Sequence, residues 1–208
     1  MECNTKSVYD SLEMCPGQRA MPGIRRRVYY THKMDIAGWP ALPRPGDVGK
    51  KMKDLSVYDG DFALKQDKFF KFLDLKDEAS NVTFEPVGDN IGSKLFNNRA
   101  NLVATGMSDE IKGFSAQALN DDLVYVYQQR DGKFCVLGNE AFTCNTDPTG
   151  DSGAAPTDAI TVSLGIQCYD ECPVPTYVGK LFLSSTTYID CSDGKEKANP
   201  DTPGDGEG

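Results

Sequence analysis

The sequence predicts a mainly β protein with one short helix, organised as a β-sandwich or barrel core with a long hairpin, an extended N-terminal arm and a disordered acidic C-terminal tail. Three observations predict this class. An apolar run, Leu123 to Tyr127, precedes an Arg130-Asp131-Gly132 turn and a returning strand, a strong β-hairpin signal. From Ile160 to Ile166 apolar and polar residues alternate, as in a strand with one buried face. With 208 residues, of which 39% are hydrophobic, one core domain with extensions is expected.

The first 60 residues are predicted to form the extended arm. Turn-forming residues recur along them, for example at Pro16-Gly17, Pro22-Gly23 and Pro45-Gly46, which excludes long regular elements. Ile24 to Thr31 is compatible with a short strand within the arm. The apolar segment from Trp39 to Pro43 either packs on its own domain or fits a partner, and the sequence leaves both open.

Residues 61–189 are predicted to form the core domain, which begins with a long hairpin from Lys68 to Thr105. Two segments in which apolar and polar residues alternate flank a turn at Pro86 to Asn90. One face of the hairpin is rich in Asn, Ser, Thr and charge, so it is predicted to be exposed. The polar residues assigned to this hairpin are Thr83, Glu85, Asp89, Asn90, Ser93, Asn97 and Asn98.

A short helix is predicted near residues 108–119. Ser108 is a suitable N-cap, and Asp109 and Glu110 supply negative charge in the first turn. Four apolar residues fall on one face, so the helix is expected to lie against a sheet. These residues are Ile111, Phe114, Ala118 and Leu119.

The C-terminal third is predicted to hold a polar loop, two strands and a tail. Residues 145–158 are dense in Gly, Pro, Asp and Thr and are assigned to a loop. The alternating strand at Ile160 follows, and a last strand runs from Tyr177 to Leu183. Residues 190–208 lack large apolar anchors, so a disordered acidic tail is predicted there.

Cellular location and cysteine chemistry follow from composition. No signal-peptide pattern and no apolar run of about 20 residues is found, so we expect a soluble protein made without a secretory signal or membrane anchor. Seven cysteines are an odd number, and reduced thiols are favoured over a disulfide framework. The Cys168 and Cys172 spacing could supply two zinc ligands, but two more would be needed.

Charge is unevenly distributed along the chain, whose net charge is −9. Basic residues dominate from Arg19 to Lys53, and acidic residues dominate after Asp190. A basic segment can bind nucleic acid. Because aromatic residues are sparse in it and the rest of the chain is acidic, a subunit-contacting or solvated segment is favoured. The residues assigned to contacts between subunits are Arg25, Arg26, Arg27, Tyr29, Trp39 and Leu42.

No sequence motif predicts an enzyme, a metal site or a cofactor. Gly150-Asp151-Ser152-Gly153 matches the serine motif of chymotrypsin-like proteases, and the single histidine, His32, precedes it. The residues around both positions do not match that family, so a turn is predicted instead. Paired carboxylates such as Asp77-Glu78 and Asp121-Asp122 also suit turns.

The layout of the chain resembles that of phage tail tube proteins. The hairpin sequence LNDDLVYVYQQRDGKFCVLGNE after a short helix, then a Gly/Pro/Thr loop and a final pair of strands, carries this resemblance over roughly Phe69 to Leu183. It implies a structural virion protein that forms stacked rings, usually hexameric, around a passage for DNA. The long hairpin would line the passage, and the helix would brace the outer side.

The resemblance also implies the partners and the location. These are other copies of the chain, other tail or neck proteins of the phage, and DNA that passes without sequence recognition. The protein would be made in the bacterial cytoplasm and end in the virion tail.

Two other classes of protein remain open. A capsid decoration or head-to-tail connector subunit can also be a small β domain with an arm. A monomeric ligand-binding β-sandwich is a further alternative, and self-assembly separates it from the other two.

Overall fold

The computed structural model describes residues 8–13, 16–17 and 20–199, which contain one α-helix and many short strands. The helix α1 spans Asp109–Ala118, and two 3-10 helices span Lys33–Asp35 and Met52–Ser56. The strands in chain order are β1 (Ile24–His32), β2 (Ile36–Gly38), β3 (Val57–Tyr58), β4 (Ala63–Leu64), β5 (Lys71–Asp74), β6 (Asn81–Val87), β7 (Leu95–Thr105), β8 (Leu123–Gln129), β9 (Phe134–Leu137), β10 (Cys144–Asp151), β11 (Thr161–Asp170), β12 (Thr176–Tyr177), β13 (Lys180–Phe182), β14 (Thr187–Asp190) and β15 (Lys195–Ala198).

A six-stranded sheet in the order β3-β12-β9-β8-β1-β5 forms the centre of the fold. The predicted hairpin of β8 and β9 is confirmed, and Gly132 in its turn has a φ of 104°, a conformation that glycine adopts without strain. β1 lies between β8 and β5 and pairs antiparallel with both. The prediction of an N-terminal arm is therefore wrong for residues 24–32, because Val28 and its neighbours supply an inner strand of the core.

The central strands β8 and β9 of the six-stranded sheet are buried on both faces. One core contains Val28, Tyr125 and Leu137 and lies between this sheet, a second sheet and the helix. The other contains Val124 and Val126 and lies under the small sheets. Burial on both sides explains why β8 is a continuous apolar run rather than an alternating one.

The second sheet has four antiparallel strands in the order β10-β11-β7-β6. β6 and β7 form the predicted hairpin, but it covers Asn81 to Thr105 only. Leu73 and its neighbours in β5 pair with β1 instead, so the predicted start at Lys68 is wrong. On β11, Val162, Leu164 and Ile166 are buried as predicted, whereas Ile160 precedes the strand and is exposed.

β10 is the strand that the sequence assigned to a polar loop. Residues 144–151 pair with β11 along their whole length, from Cys144 opposite Cys168 to Asp151 opposite Thr161. β10 is an edge strand, which explains how it tolerates Pro148, a residue without an N–H group. The loop prediction is therefore wrong for residues 145–151.

The helix α1 is confirmed, and it packs against the core between the two large sheets. The Ser108 hydroxyl caps it by accepting a hydrogen bond from the Ile111 N–H at 3.4 Å. Ile111 and Ala118 are buried, and Phe114 packs against Tyr30 with ring centroids 5.0 Å apart. Leu119 is exposed, so its assignment to the buried face is wrong.

The C-terminal region forms a three-stranded sheet, β13-β14-β15, that covers the second core. The predicted strand from Tyr177 to Leu183 is divided between β12 and β13, which belong to different sheets. Lys197 donates a hydrogen bond to Asp190 at 2.7 Å, which holds the pKa of that carboxyl at about 2. The prediction of disorder is wrong for residues 190–198, where Cys191 is buried. The rest of the predicted tail, residues 200–208, lies outside the described residues.

The predicted fold class is confirmed in its main terms. The protein is mainly β, and its sheets stack in a sandwich-like arrangement without closing into a barrel.

Candidate assembly surface

The outer face of the four-stranded sheet is a continuous polar surface, which we call the polar face. Its residues come from alternating positions of the four strands, and the intervening positions of β7 and β11 are mostly buried. The residues of the polar face are Asn81, Thr83, Glu85, Asn97, Arg99, Asn101, Asn145, Asp147, Thr149, Asp151, Ser163, Gly165, Gln167 and Tyr169. Val103 shares this alternation in β7 but is buried.

Arg99 lies near the centre of the polar face. Its guanidinium is 2.9 Å from Glu85, and both side chains are half exposed. The Asn97 amide lies within hydrogen-bonding distance of Glu85, Arg99 and Gln167. Gly165 has no side chain, and a shallow depression of about 290 Å³ lies beside it. This surface offers many neutral hydrogen-bonding groups and little net charge.

The structure divides the polar residues predicted for the hairpin into three groups. Thr83 and Glu85 are exposed on the polar face as predicted. Asp89, Asn90 and Ser93 lie in the exposed turn between the strands.

Asn97 and Asn98 are buried, so their assignment to an exposed surface is wrong. Asn98 points to the opposite face, where its amide donates to the Cys172 carbonyl at 3.1 Å and accepts from the Val174 N–H at 3.2 Å. It therefore holds a loop in place rather than contacting solvent.

Both edges of the four-stranded sheet are open among the described residues. β6 borders one side and β10 the other, and neither has a second neighbour. They are similar in length, with seven and eight residues. Open edges carry unpaired backbone donors and acceptors that can join another strand.

The end of the β6–β7 hairpin exposes apolar side chains. Phe84 is 57% exposed, and its ring meets the Phe96 ring edge to face, with centroids 6.0 Å apart. Ile91 in the turn is 98% exposed. The hairpin therefore presents apolar side chains that the described residues leave largely uncovered.

The arginines at the start of β1 have partners within the chain. Arg26 donates to Asp77 at 2.7 Å, and this bond lowers the pKa of that carboxyl. Arg27 donates to both oxygens of Asp74, at 2.7 and 3.1 Å, and lies over the Phe72 ring. Arg25 is exposed. Contact of these arginines with another subunit stays a prediction.

The other residues predicted for subunit contacts pack on their own chain. Tyr29 is buried in the second core. Trp39 and Leu42 are half buried against the same core, and the Trp39 ring meets Phe62 edge to face at 5.4 Å. The structure thus supplies the first of the two alternatives for Trp39.

The histidine and the serine motif lie in different settings. His32 accepts a hydrogen bond from the Met34 N–H at 3.1 Å, and its Nε2 is 3.7 Å from an oxygen of Asp121. It lines a cleft of about 370 Å³ beside α1, and Ser152 is not in this lining. Ser152 is exposed at the end of β10 and donates to the Gly153 carbonyl.

The cysteines differ from the prediction of reduced thiols. Cys144 and Cys168 form a disulfide between β10 and β11. Cys135, Cys172 and Cys191 are free and buried, and burial raises the pKa of the Cys135 thiol to about 11. The described residues contain no group of three His, Cys, Asp or Glu side chains that could hold a metal.

Sequence reasoning missed one buried carboxylate. Asp170 is at an inward position of β11, in the same alternation as Ile166 and Cys168, and it is 4% exposed. A charged residue in a buried phase of a strand was a signal that could have found it.

Comparisons with known proteins identify no relative. No family model, no curated protein and no solved structure matches the chain. In the described part of the chain, no helix is long and apolar enough to cross a bilayer.

Proposed function

We propose that this chain is a phage tail tube subunit, which assembles into rings through its four-stranded sheet. The observation that carries the proposal is that this sheet combines two open edges of matched length with an outer polar face. The layout resemblance in the sequence supplies the phage context and the usual hexameric ring.

The directions of the strands favour ring closure. Because all neighbours in the sheet are antiparallel, the two edge strands β6 and β10 run in opposite directions. Copies in a ring share one polarity about the axis, so β6 of one copy lies antiparallel to β10 of the next. An even number of strands per subunit makes every junction antiparallel, and closure removes the open edges.

The polar face then lines the passage. Its charged residues are Arg99 on the positive side and Glu85, Asp147 and Asp151 on the negative side. DNA binds proteins mainly through Lys and Arg contacts to phosphates. A neutral to acidic lining therefore lets DNA pass without being held.

The exposed end of the hairpin gives a direct test of assembly. The Phe84→Lys variant is expected to abolish or shorten tubes, because Phe84 would be buried against a neighbouring copy. The matched control is Leu119→Lys, since Leu119 is 56% exposed, nearly the same as Phe84 at 57%, but lies at the end of the helix. Negative-stain electron microscopy of the concentrated full chain measures tube number and length.

The outcomes separate the remaining classes of protein. Tubes in the wild type and in Leu119→Lys, but not in Phe84→Lys, support the tube subunit. Single rings that never stack favour a connector. A chain that stays monomeric at high concentration contradicts the proposal and favours a stand-alone binding domain.

A further inference from the structure

A second cavity, of about 440 Å³, lies away from the polar face, where the segment after β2 meets the segments that follow β9 and β11. Its volume is in the range of small-molecule sites. The lining includes three aromatic residues, Trp39, Tyr58 and Phe142, and one buried carboxylate, Asp170.

The Asp170 carboxylate lacks a hydrogen-bond donor for one of its oxygens. Its Oδ1 accepts from the Cys172 N–H at 3.2 Å, whereas its buried Oδ2 has no hydrogen-bond partner among the described residues. The Asn139 amide, which also lines the cavity, donates to the Tyr169 carbonyl at 2.6 Å. Burial raises the pKa of Asp170, and the nearby Asn139 amide opposes this shift, but no hydrogen bond of good geometry reaches Oδ2 among the described residues. A buried carboxylate oxygen without a hydrogen bond is rare and costs free energy. A ligand that donates a hydrogen bond to Asp170 Oδ2 would therefore bind favourably here.

The chemistry of the lining selects a positive group. An anion would be repelled by Asp170, and a metal ion would need further ligands that the described residues do not supply. Aromatic rings attract organic cations through their π faces. Arg44, the cation of the lining, lies on the rim, where it is exposed and pairs with Glu171 at 3.2 Å.

We propose that this cavity binds an organic cation, an alkylguanidinium or alkylammonium group, whose N–H donates to Asp170 Oδ2 between the aromatic side chains. Such a group is carried by a free small molecule or by a Lys or Arg side chain of a second copy.

The only tryptophan of the sequence, Trp39, lines the cavity and reports its occupancy. The full chain is titrated with ethylguanidinium chloride at constant ionic strength, and Trp fluorescence is recorded. A saturable change is expected, with half-saturation below about 10 mM. Ethylurea has a similar shape without the charge and is expected to give no saturable change.

Asp170→Asn tests the carboxylate. Loss of one charge-assisted hydrogen bond is expected to weaken the binding of ethylguanidinium at least about tenfold. The matched control, Asp89→Asn, removes an exposed carboxylate that does not line the cavity and is expected to bind within about twofold of the wild type. A melting curve shows that Asp170→Asn is folded, and its melting temperature is expected to equal or exceed that of the wild type because an unsatisfied buried charge is removed.

Self-association identifies the source of the cation. Sedimentation velocity of the wild type and of Asp170→Asn is compared with and without ethylguanidinium. If the variant and the ligand both weaken self-association, the cation is a side chain of a second copy. If neither does while fluorescence saturates, the cation is a free molecule. A fluorescence change that is linear, or equal in the wild type and in folded Asp170→Asn, overturns the proposal.

Discussion

The two large sheets have opposite relations to solvent. In the six-stranded sheet the neighbouring residues Val136 and Leu137 are both fully buried, one in each core. In the four-stranded sheet Leu164 is fully buried while its neighbour Ser163 is partly exposed on the polar face. The central strands of the first sheet, which are covered on both sides, stabilise the fold and offer no free face to a partner. A layer with one free face and two free edges is also available to partners.

Alanine substitutions in these two pairs test the difference in burial and should change the free energy of unfolding more than any other variant considered below. Leu137→Ala and Leu164→Ala are each expected to lower the free energy of unfolding by about 2–5 kcal/mol, because both leave a cavity in the core. Val136→Ala should lower it by more than about 1 kcal/mol. Ser163→Ala should change it by less than about 0.5 kcal/mol. Urea denaturation measures all four.

The proposed difference between the sheets would be contradicted if the losses of unfolding free energy for Val136→Ala and Leu137→Ala differed as strongly as those for Ser163→Ala and Leu164→Ala. A neutral Val136→Ala would mean that the small sheets do not cover the central sheet tightly. A large effect of Ser163→Ala would mean that the polar face is covered by something in solution.

Removal of the last described strand is expected to have an intermediate effect. A chain that ends at Asp190 lacks Cys191, which is buried in the second core, and β15, which pairs with β14. It also loses the hydrogen bond from Lys197 to Asp190. The melting temperature is expected to fall by more than about 5 °C, which corresponds to more than about 1 kcal/mol for a domain of this size.

The control is a chain that ends at Asn199. Residues 200–208 contain no large apolar side chain, so this shorter truncation is expected to leave the melting temperature unchanged within about 1 °C. Equal melting temperatures for both truncations would contradict the role of β15 in covering the second core.

Local sequence patterns predicted the elements that depend on neighbours in the chain. The Asp131-Gly132 turn specifies the β8–β9 hairpin, Ser108 caps the helix, and the alternation in β11 reflects its one buried face. In each case the residues that determine the element lie within it or beside it.

Elements that depend on distant partners were missed. Leu73 and its neighbours in β5 pair with β1, some 45 residues earlier, and no local feature distinguishes that from pairing within the nearest hairpin. β10 and β15 are edge strands whose polar or charged residues, such as Pro148 and Lys195, suit an edge but do not produce apolar alternation. The cavity lined by Trp39 and Asp170 was missed for the same reason, since these two residues meet only in the folded chain.

Ser152→Ala, just after β10 at the border of the four-stranded sheet, is expected to change stability least of all these variants. The motif around Ser152 folds as a turn: the Asp151 carboxylate accepts from the Gly153 N–H at 2.9 Å, and the Asp158 carboxylate accepts from the N–H groups of Ala154 and Ala155. These hydrogen bonds give Asp151 and Asp158 a structural role, because Asp stabilises turns by accepting hydrogen bonds from the backbone. No catalytic role is needed to account for either residue.

A serine nucleophile needs a histidine within hydrogen-bonding reach, and His32 is instead engaged by the Met34 N–H and lies beside Asp121. Ser152 is exposed, and its hydroxyl donates one long hydrogen bond, of 3.4 Å, to the Gly153 carbonyl. We therefore expect Ser152→Ala to leave the melting temperature and any self-assembly unchanged, and a fluorophosphonate probe to leave Ser152 unlabelled in the wild type. Stoichiometric labelling of Ser152, detected by mass spectrometry, would show an activated hydroxyl and would assign the end of this sheet to chemistry instead of assembly.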